Sequence, residues 1–152
     1  MEDIIQKIKD GLGNKIKKWE EKNPRRIYIT IAKEDTKESA RFLFEDCKAR
    51  FVISTGIDTP VGFEILHHFS FDSLGKIVSL KVIVPKSNPE IESITPIILG
   101  AEFIEREIYE MLGVKFLNHP KLERLLLSDD WPKDICPLRK DVTLGGEIKK
   151  SD

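Results

Sequence analysis

Three histidines, two cysteines and a carboxylate-rich helical turn are the groups in this chain with the chemistry to hold a metal, attack a carbonyl or relay a proton. His67 and His68 are sequence neighbours in an alternating apolar stretch, so on a β-strand they point to opposite faces and cannot share one ion. His119 precedes a proline, a setting suited to donating to a backbone carbonyl at a turn. Cys47 and Cys136 lack the CxxC spacing that iron–sulfur or zinc ligation uses. Glu105, Glu107 and Glu110 share one charged helical stretch, where three acids are expected to face water rather than to form a proton relay. No glycine-rich phosphate loop follows a strand, and no GxSxG nucleophile setting occurs. The chain is therefore expected to carry no catalytic residue, metal or cofactor, and its functional residues must be sought among those that bind protein.

Composition narrows the partners. The 152 residues contain 25 Lys plus Arg against 26 Asp plus Glu, so the net charge of -1 gives no field to collect nucleic acid or anionic lipid. No apolar run is long enough to span a bilayer and no secretory signal is supported at the N-terminus, which implies membrane contact only through partners. Lone cysteines fit a reducing cytoplasm.

The elements that must position any site follow from periodicity. Ile5, Ile8 and Leu12 share one helical face, which the stretch at residues 11–14 ends. Residues 26–32 alternate as a strand. Asp35 and Glu38 suggest a capping box ahead of a second helix with Ala40, Leu43, Phe44 and Cys47 on its apolar stripe. Residues 51–55 read as a short strand stopped by Gly56. Phe63, Ile65, His67, Phe69 and Phe71 mark one side of a longer strand, which residues 72–75 turn into a hairpin with residues 77–84. Thr95-Pro96 predicts the start of a long helix with Ile97, Ala101, Ile104, Ile108 and Met111 on its buried face and Arg106 ion-paired to Glu102 and Glu110. Gly113 supplies its C-terminal cap. The expectation is a single α+β domain over residues 1–113, with about four strands in a mixed sheet, and an extended docking arm over residues 114–152 with a polar tail at 145–150.

The last third carries a resemblance. Glu105-Arg106-Glu107, Tyr109, Gly113, Phe116, His119-Pro120, Arg124-Leu125-Leu126-Leu127, Asp129-Asp130-Trp131 and Pro137-Leu138-Arg139-Lys140-Asp141 occur in an order that resembles the 30-kDa family of complex I, the NADH-quinone oxidoreductase, and of membrane-bound hydrogenases. The likeness is strong over about fifty residues, while the earlier part matches in layout. Glu110, where aspartate is common, and Ile135-Cys136, where a glycine is usual, depart from the family pattern. The resemblance implies a four-stranded α+β subunit without a redox centre, packed by its C-terminal segment on a hydrogenase-like large subunit. It implies further partners in an iron–sulfur small subunit and a ferredoxin-like subunit, which hold the iron–sulfur clusters and, in hydrogenase-type relatives, nickel–iron. It also implies a peripheral position on the cytoplasmic side of the cell membrane. The short chain is most similar to archaeal hydrogenase or sulfane-reductase relatives. The alternatives are the corresponding subunit of an NADH, ferredoxin or F420H2 oxidoreductase acting on a quinone or phenazine, and a free-standing small-molecule-binding domain using its histidines.

Physical chemistry supports docking by this segment. Pro137 fixes its own φ and restricts Cys136, lowering the entropy an arm loses on binding. Successive side chains of an extended Leu138-Arg139-Lys140-Asp141 run point to opposite sides, one toward the chain and one toward a partner. Trp131, Tyr109, Arg124 and Arg139 supply the residue types that dominate interface hot spots, with Arg106, His119, Asp130, Pro137, Leu138, Lys140 and Asp141 completing the expected interface.

Overall fold

Alternation in residues 62–71 decides the architecture, because Phe63, Ile65, His67, Phe69 and Phe71 are all buried on one side of a central strand. The computed structural model describes residues 3–142; the polar tail at 145–150 lies outside them. The strands are β1 (Lys18–Asn23), β2 (Arg26–Thr30), β3 (Arg50–Thr59), β4 (Gly62–Phe71) and β5 (Lys76–Val84), and they form one sheet in the order β1-β2-β5-β4-β3. The β1–β2 hairpin joins the antiparallel β3-β4-β5 meander through a parallel β2–β5 pairing, which makes the sheet mixed. The expected α+β fold is the one observed, with five strands in the main sheet. A short parallel pair, β6 (Glu90–Glu92) with β7 (Lys115–Leu117), forms a second sheet.

Three helices, α1 (Ile4–Leu12), α2 (Thr36–Arg41, continued by a π turn at Phe42–Asp46) and α3 (Glu102–Leu112), contribute to the core. Ile8 and Leu12, Ala40 and Leu43, and Ile108 and Leu112 pack with Ile29, Leu80, Ile65 and Phe69 in one apolar cluster. The opposite sheet face carries Tyr28, Ser79, Lys81, His68 and Thr55.

Three local expectations are corrected. β3 runs through Gly56 to Thr59, because the missing side chain at Gly56 admits α3 rather than stopping the strand: a Cβ there would lie 2.9 Å from both Ile108 and Leu112. Asp35 makes no capping hydrogen bond; Thr36 Oγ1 donates to the Lys33 carbonyl, and Glu38 pairs with Lys15 at 3.0 Å. α3 begins at Glu102 after a 3-10 turn at Leu99–Ala101, since the Thr95 amide and hydroxyl both donate to the Glu105 carboxylate instead of capping a helix. The strand β1 has no counterpart among these expectations, since an edge strand of sequence KWEEKN with only Trp19 packed on the core shows no apolar alternation.

Candidate functional site

α3 organises the chain on both sides of itself through three consecutive turns. Ala101, Glu105, Ile108 and Leu112 form its buried stripe, so Glu105 occupies a position that an apolar residue would normally fill. Its fully buried carboxylate accepts from Ser93 Oγ at 2.7 Å, from the backbone N–H groups of Ile94 and Thr95, and from Thr95 Oγ1. Burial raises its pKa above the usual carboxylate value, opposed by the Thr95, Ser93 and Ile94 hydrogen bonds and by His119. The carboxylate thereby ties the loop entering α3 to the helix itself.

One position further on, Arg106 and Glu110 lie four residues apart on one face. They do not pair with each other, and Arg106 forms no ion pair with Glu102. Arg106 is nine-tenths buried and donates from Nε to the Glu123 carbonyl (3.1 Å) and from Nη2 to the Arg124 carbonyl (2.7 Å). Glu110 is 6 % exposed and accepts from the N–H groups of Leu125 (3.3 Å), Leu126 (2.9 Å) and Leu127 (2.9 Å). Residues 123–127 are thus held through their backbone, by charge-assisted bonds from one helix face. The expectation that the three glutamates face water is overturned for Glu105 and Glu110. Of the three, Glu107 alone keeps part of its surface in solvent. Burial of two acids is possible because each finds three or more hydrogen-bond donors.

The rest of the arm is fastened at three further points. Arg139 donates from Nε to the carbonyl of Leu112 (2.6 Å) at the C-terminal end of α3, and its guanidinium stacks 5.2 Å from the Phe63 ring centroid. The Leu138 amide donates to the Met111 carbonyl, and the Lys140 amide donates to Asp58 Oδ2 at 2.9 Å. Asp58 also pairs with Lys86 at 2.5 Å, and its pKa lies below the usual range because the Lys86 and Lys140 interactions outweigh desolvation, the largest single contribution. Arg124 donates to the carbonyls of Ser128 and Trp131, and Trp131 Nε1 donates to the Ile135 carbonyl, which coils residues 124–135 on themselves. His119 Nδ1 accepts from the Lys121 amide, leaving Nε2 to donate to the Glu102 carbonyl at 3.0 Å, a backbone-turn role like that expected. Tyr109 lines a cavity of about 400 Å³ between α3 and the arm, with Leu122, Arg124, Leu127, Ile135 and Cys136. Asp130 is exposed and accepts from Ser128 Oγ at 2.5 Å, while Pro137 is partly buried and Asp141 is exposed.

Gly113 closes α3 in the left-handed region at φ 79° and lies directly beneath the arm. A Cβ there would meet Arg139 Nη2 at 2.5 Å and Cys136 Sγ at 3.0 Å. Gly113→Ala is therefore expected to cost about 1–2 kcal/mol, combining left-handed strain with displacement of Arg139 from Leu112. Thermal unfolding should show a Tm lower by several degrees, and amide exchange should rise first at residues 136–140.

The histidines do not converge. His67 is fully buried with Nδ1 2.6 Å from Ser54 Oγ, whereas His68, on the other face, sits between Thr55 Oγ1 (3.0 Å) and Ser79 Oγ (2.6 Å). Among the described residues, no group of three or more His, Cys, Asp or Glu side chains is placed to hold a metal, and no helix is long and apolar enough to cross a membrane.

Comparison with known proteins agrees with this layout. Residues 29–148 match the family model described as the respiratory-chain NADH dehydrogenase 30 Kd subunit. An NADH-quinone oxidoreductase subunit of Roseiflexus sp. (strain RS-1) is 39% identical over 128 residues, covering 80% of this chain and 72% of that protein. An F(420)H(2) dehydrogenase subunit of Methanosarcina mazei is 32% identical over 141 residues, covering 91% of this chain and 89% of its own. A polypeptide in the structure of an archaeal membrane-bound sulfane sulfur reductase superposes with a TM-score of 0.79 at 22% identity, over 93% of this chain and 84% of that one, and so shares the fold. With 120 matched positions that take in β3, β4, β5 and α3, the chain belongs to the family of the respiratory-chain NADH dehydrogenase 30 kDa subunit.

Proposed function

We propose that this protein is a non-catalytic subunit of a membrane-associated respiratory electron-transfer complex and that its C-terminal arm docks the hydrogenase-like large subunit. The observation that carries this reading is the way the arm is held. Arg106 and Glu110 grip residues 123–127 by backbone alone, while Leu126 and Leu138 remain 61% exposed and Trp131 partly exposed on the same segment. Large apolar side chains presented on a pre-ordered backbone lose little entropy on association, which is what a docking segment needs. The cavity beside Tyr109 offers an adjoining socket for a partner side chain.

In this reading the iron–sulfur small subunit and a ferredoxin-like subunit belong to the same assembly, and the redox groups reside in those partners. The chain reaches the cytoplasmic side of the membrane through them. The near full-length correspondence with the archaeal F(420)H(2) dehydrogenase subunit, and the fold shared with the archaeal sulfane sulfur reductase polypeptide, support placement among the short archaeal relatives.

Leu126→Ala and Trp131→Ala should each weaken assembly by about 2 kcal/mol, with the isolated chain's thermal unfolding within about 1 °C of the parent for Leu126→Ala and a few degrees lower for Trp131→Ala, which also loses the bond to the Ile135 carbonyl. Pull-down from detergent-extracted membranes is the measurement. Recovery of both variants with an unchanged amount of large subunit sinks the docking reading. Arg139→Ala is a poorer probe, because it also removes the donor that caps Leu112.

A further inference from the structure

The main sheet ends in an unprotected edge. β3 pairs with β4 on one side, and among the described residues no strand pairs with its other side. Free edges are ordinarily guarded by lysine, proline or short length. β3 has ten residues, and from Phe51 through Ile57 none is charged and none is proline. A bulge between Phe51 and Ile53 disturbs only its first part, while Ile53 and Ile57 are 46% and 42% exposed.

Beside this edge runs a trough. α3 packs along β3, drawn close by Gly56, and the space left between them has a volume of about 250 Å³. Ile104, Ile108, Met111 and Leu138 make its walls apolar, with the β3 edge at Ile53 along its rim. Near the N-terminal end of α3, Phe103 and Leu99 are 60% and 79% exposed.

Charge selects the occupant. The charged residues at the two ends of β3 are already neutralised, Arg50 by Asp72 at 2.8 Å and Asp58 by Lys86 at 2.5 Å. Glu107 is the one ionisable residue lining the trough, and its carboxylate has no hydrogen bond or ion pair among the described residues. A carboxylate standing alone on an apolar wall favours a cation beside it over any neutral group.

We propose that this trough receives an extended segment of a neighbouring subunit, which adds to β3 as a sixth strand and presents a lysine or arginine, flanked by apolar residues, to Glu107. Edge pairing supplies main-chain hydrogen bonds, and alternate side chains of the added strand enter the trough. Residues 53–57 span about 14 Å, enough for three such side chains at every second position. The proposal rests on the reading that the chain works inside an assembly, but it uses a surface separate from residues 123–135.

Amide exchange of the full chain, free and in the native complex, separates the two ideas. Slowing of the amides in 53–57 by tenfold or more on assembly is expected, together with slowing across 123–135. Slowing confined to 123–135 overturns the edge proposal and leaves arm docking intact; slowing confined to 53–57 does the reverse. Glu107→Lys, at a partly exposed position that leaves the core untouched, is expected to weaken assembly about tenfold, and unchanged affinity overturns the role given to the cation. A photocrosslinking p-benzoylphenylalanine in place of Ile53 names the occupant. An adduct on an extended partner segment bearing Lys or Arg supports the proposal, whereas an adduct on a partner helix, on lipid or on a second copy of this chain, or none at all, overturns it.

Discussion

Glu110→Ala is expected to release residues 125–127 from α3, with Arg106 still holding the Glu123 and Arg124 carbonyls, without unfolding the sheet. Three backbone N–H groups lose a shared carboxylate acceptor, and at about 1 kcal/mol for each charge-assisted bond the local cost is about 3 kcal/mol. Amides 125–127 should then exchange about 100-fold faster, while those of β4 and β5 stay unchanged. On the proposed docking to a large subunit, the same variant should also lose that partner in a pull-down, because the exposed Leu126 side chain is no longer pre-ordered. Equal acceleration throughout the sheet would mean instead that Glu110 belongs to the global core.

The second large effect is acid lability centred on His67. Its ring is fully buried; Nδ1 meets Ser54 Oγ, and Nε2 has no hydrogen-bond partner among the described residues. Desolvation first, and the neighbouring His68 second, hold its pKa down at about 3 against an ordinary 6.5. The unfolded chain therefore takes up a proton below pH 6.5 that the folded chain refuses. The stabilisation is complete above about pH 6.5 and is lost as the pH falls from there toward 3, amounting to about 3 kcal/mol by pH 4. His68, also depressed by burial, adds a smaller effect of the same sign. The raised pKa of Glu105 acts in the opposite direction, so the comparison must be made between variants. Urea unfolding of the parent and of Ser54→Ala/His67→Leu, in which both partners become apolar, should diverge below pH 6.5, with the variant showing the flatter profile. Parallel profiles would refute the assignment.

The sheet was legible because its centre carries a period of two: Phe63, Ile65, His67, Phe69 and Phe71 are buried on one face, and residues 77–84 answer them across the turn at residues 72–75. β1 was hidden for the complementary reason, that a solvent-facing edge strand is recruited by pairing with β2 and leaves no pattern of its own. α3 illustrates a finer failure. Its apolar positions suggested a face through Ile104 and Met111, yet the buried stripe passes through Ala101, Glu105, Ile108 and Leu112. The spacing from Ala101 to Glu105 to Ile108 is itself the signal, since a carboxylate at i+4 and i–3 from buried residues must be buried with them. Arg106 and Glu110 looked like surface ion pairing because sequence spacing cannot tell a side-chain partner from a main-chain one. The distant anchor at Asp58, 82 residues before the Lys140 amide that it receives, had no local trace at all.

The grip on residues 123–127 also bears on how partner choice can change over time. Arg106 and Glu110 recognise peptide groups and are blind to what those peptides carry. At Leu126, whose side chain is exposed, any non-proline residue can occupy the same seat, so the surface shown there is free to drift while the helix that holds it stays fixed. Specificity and scaffold are thereby inherited separately within a single short stretch of chain.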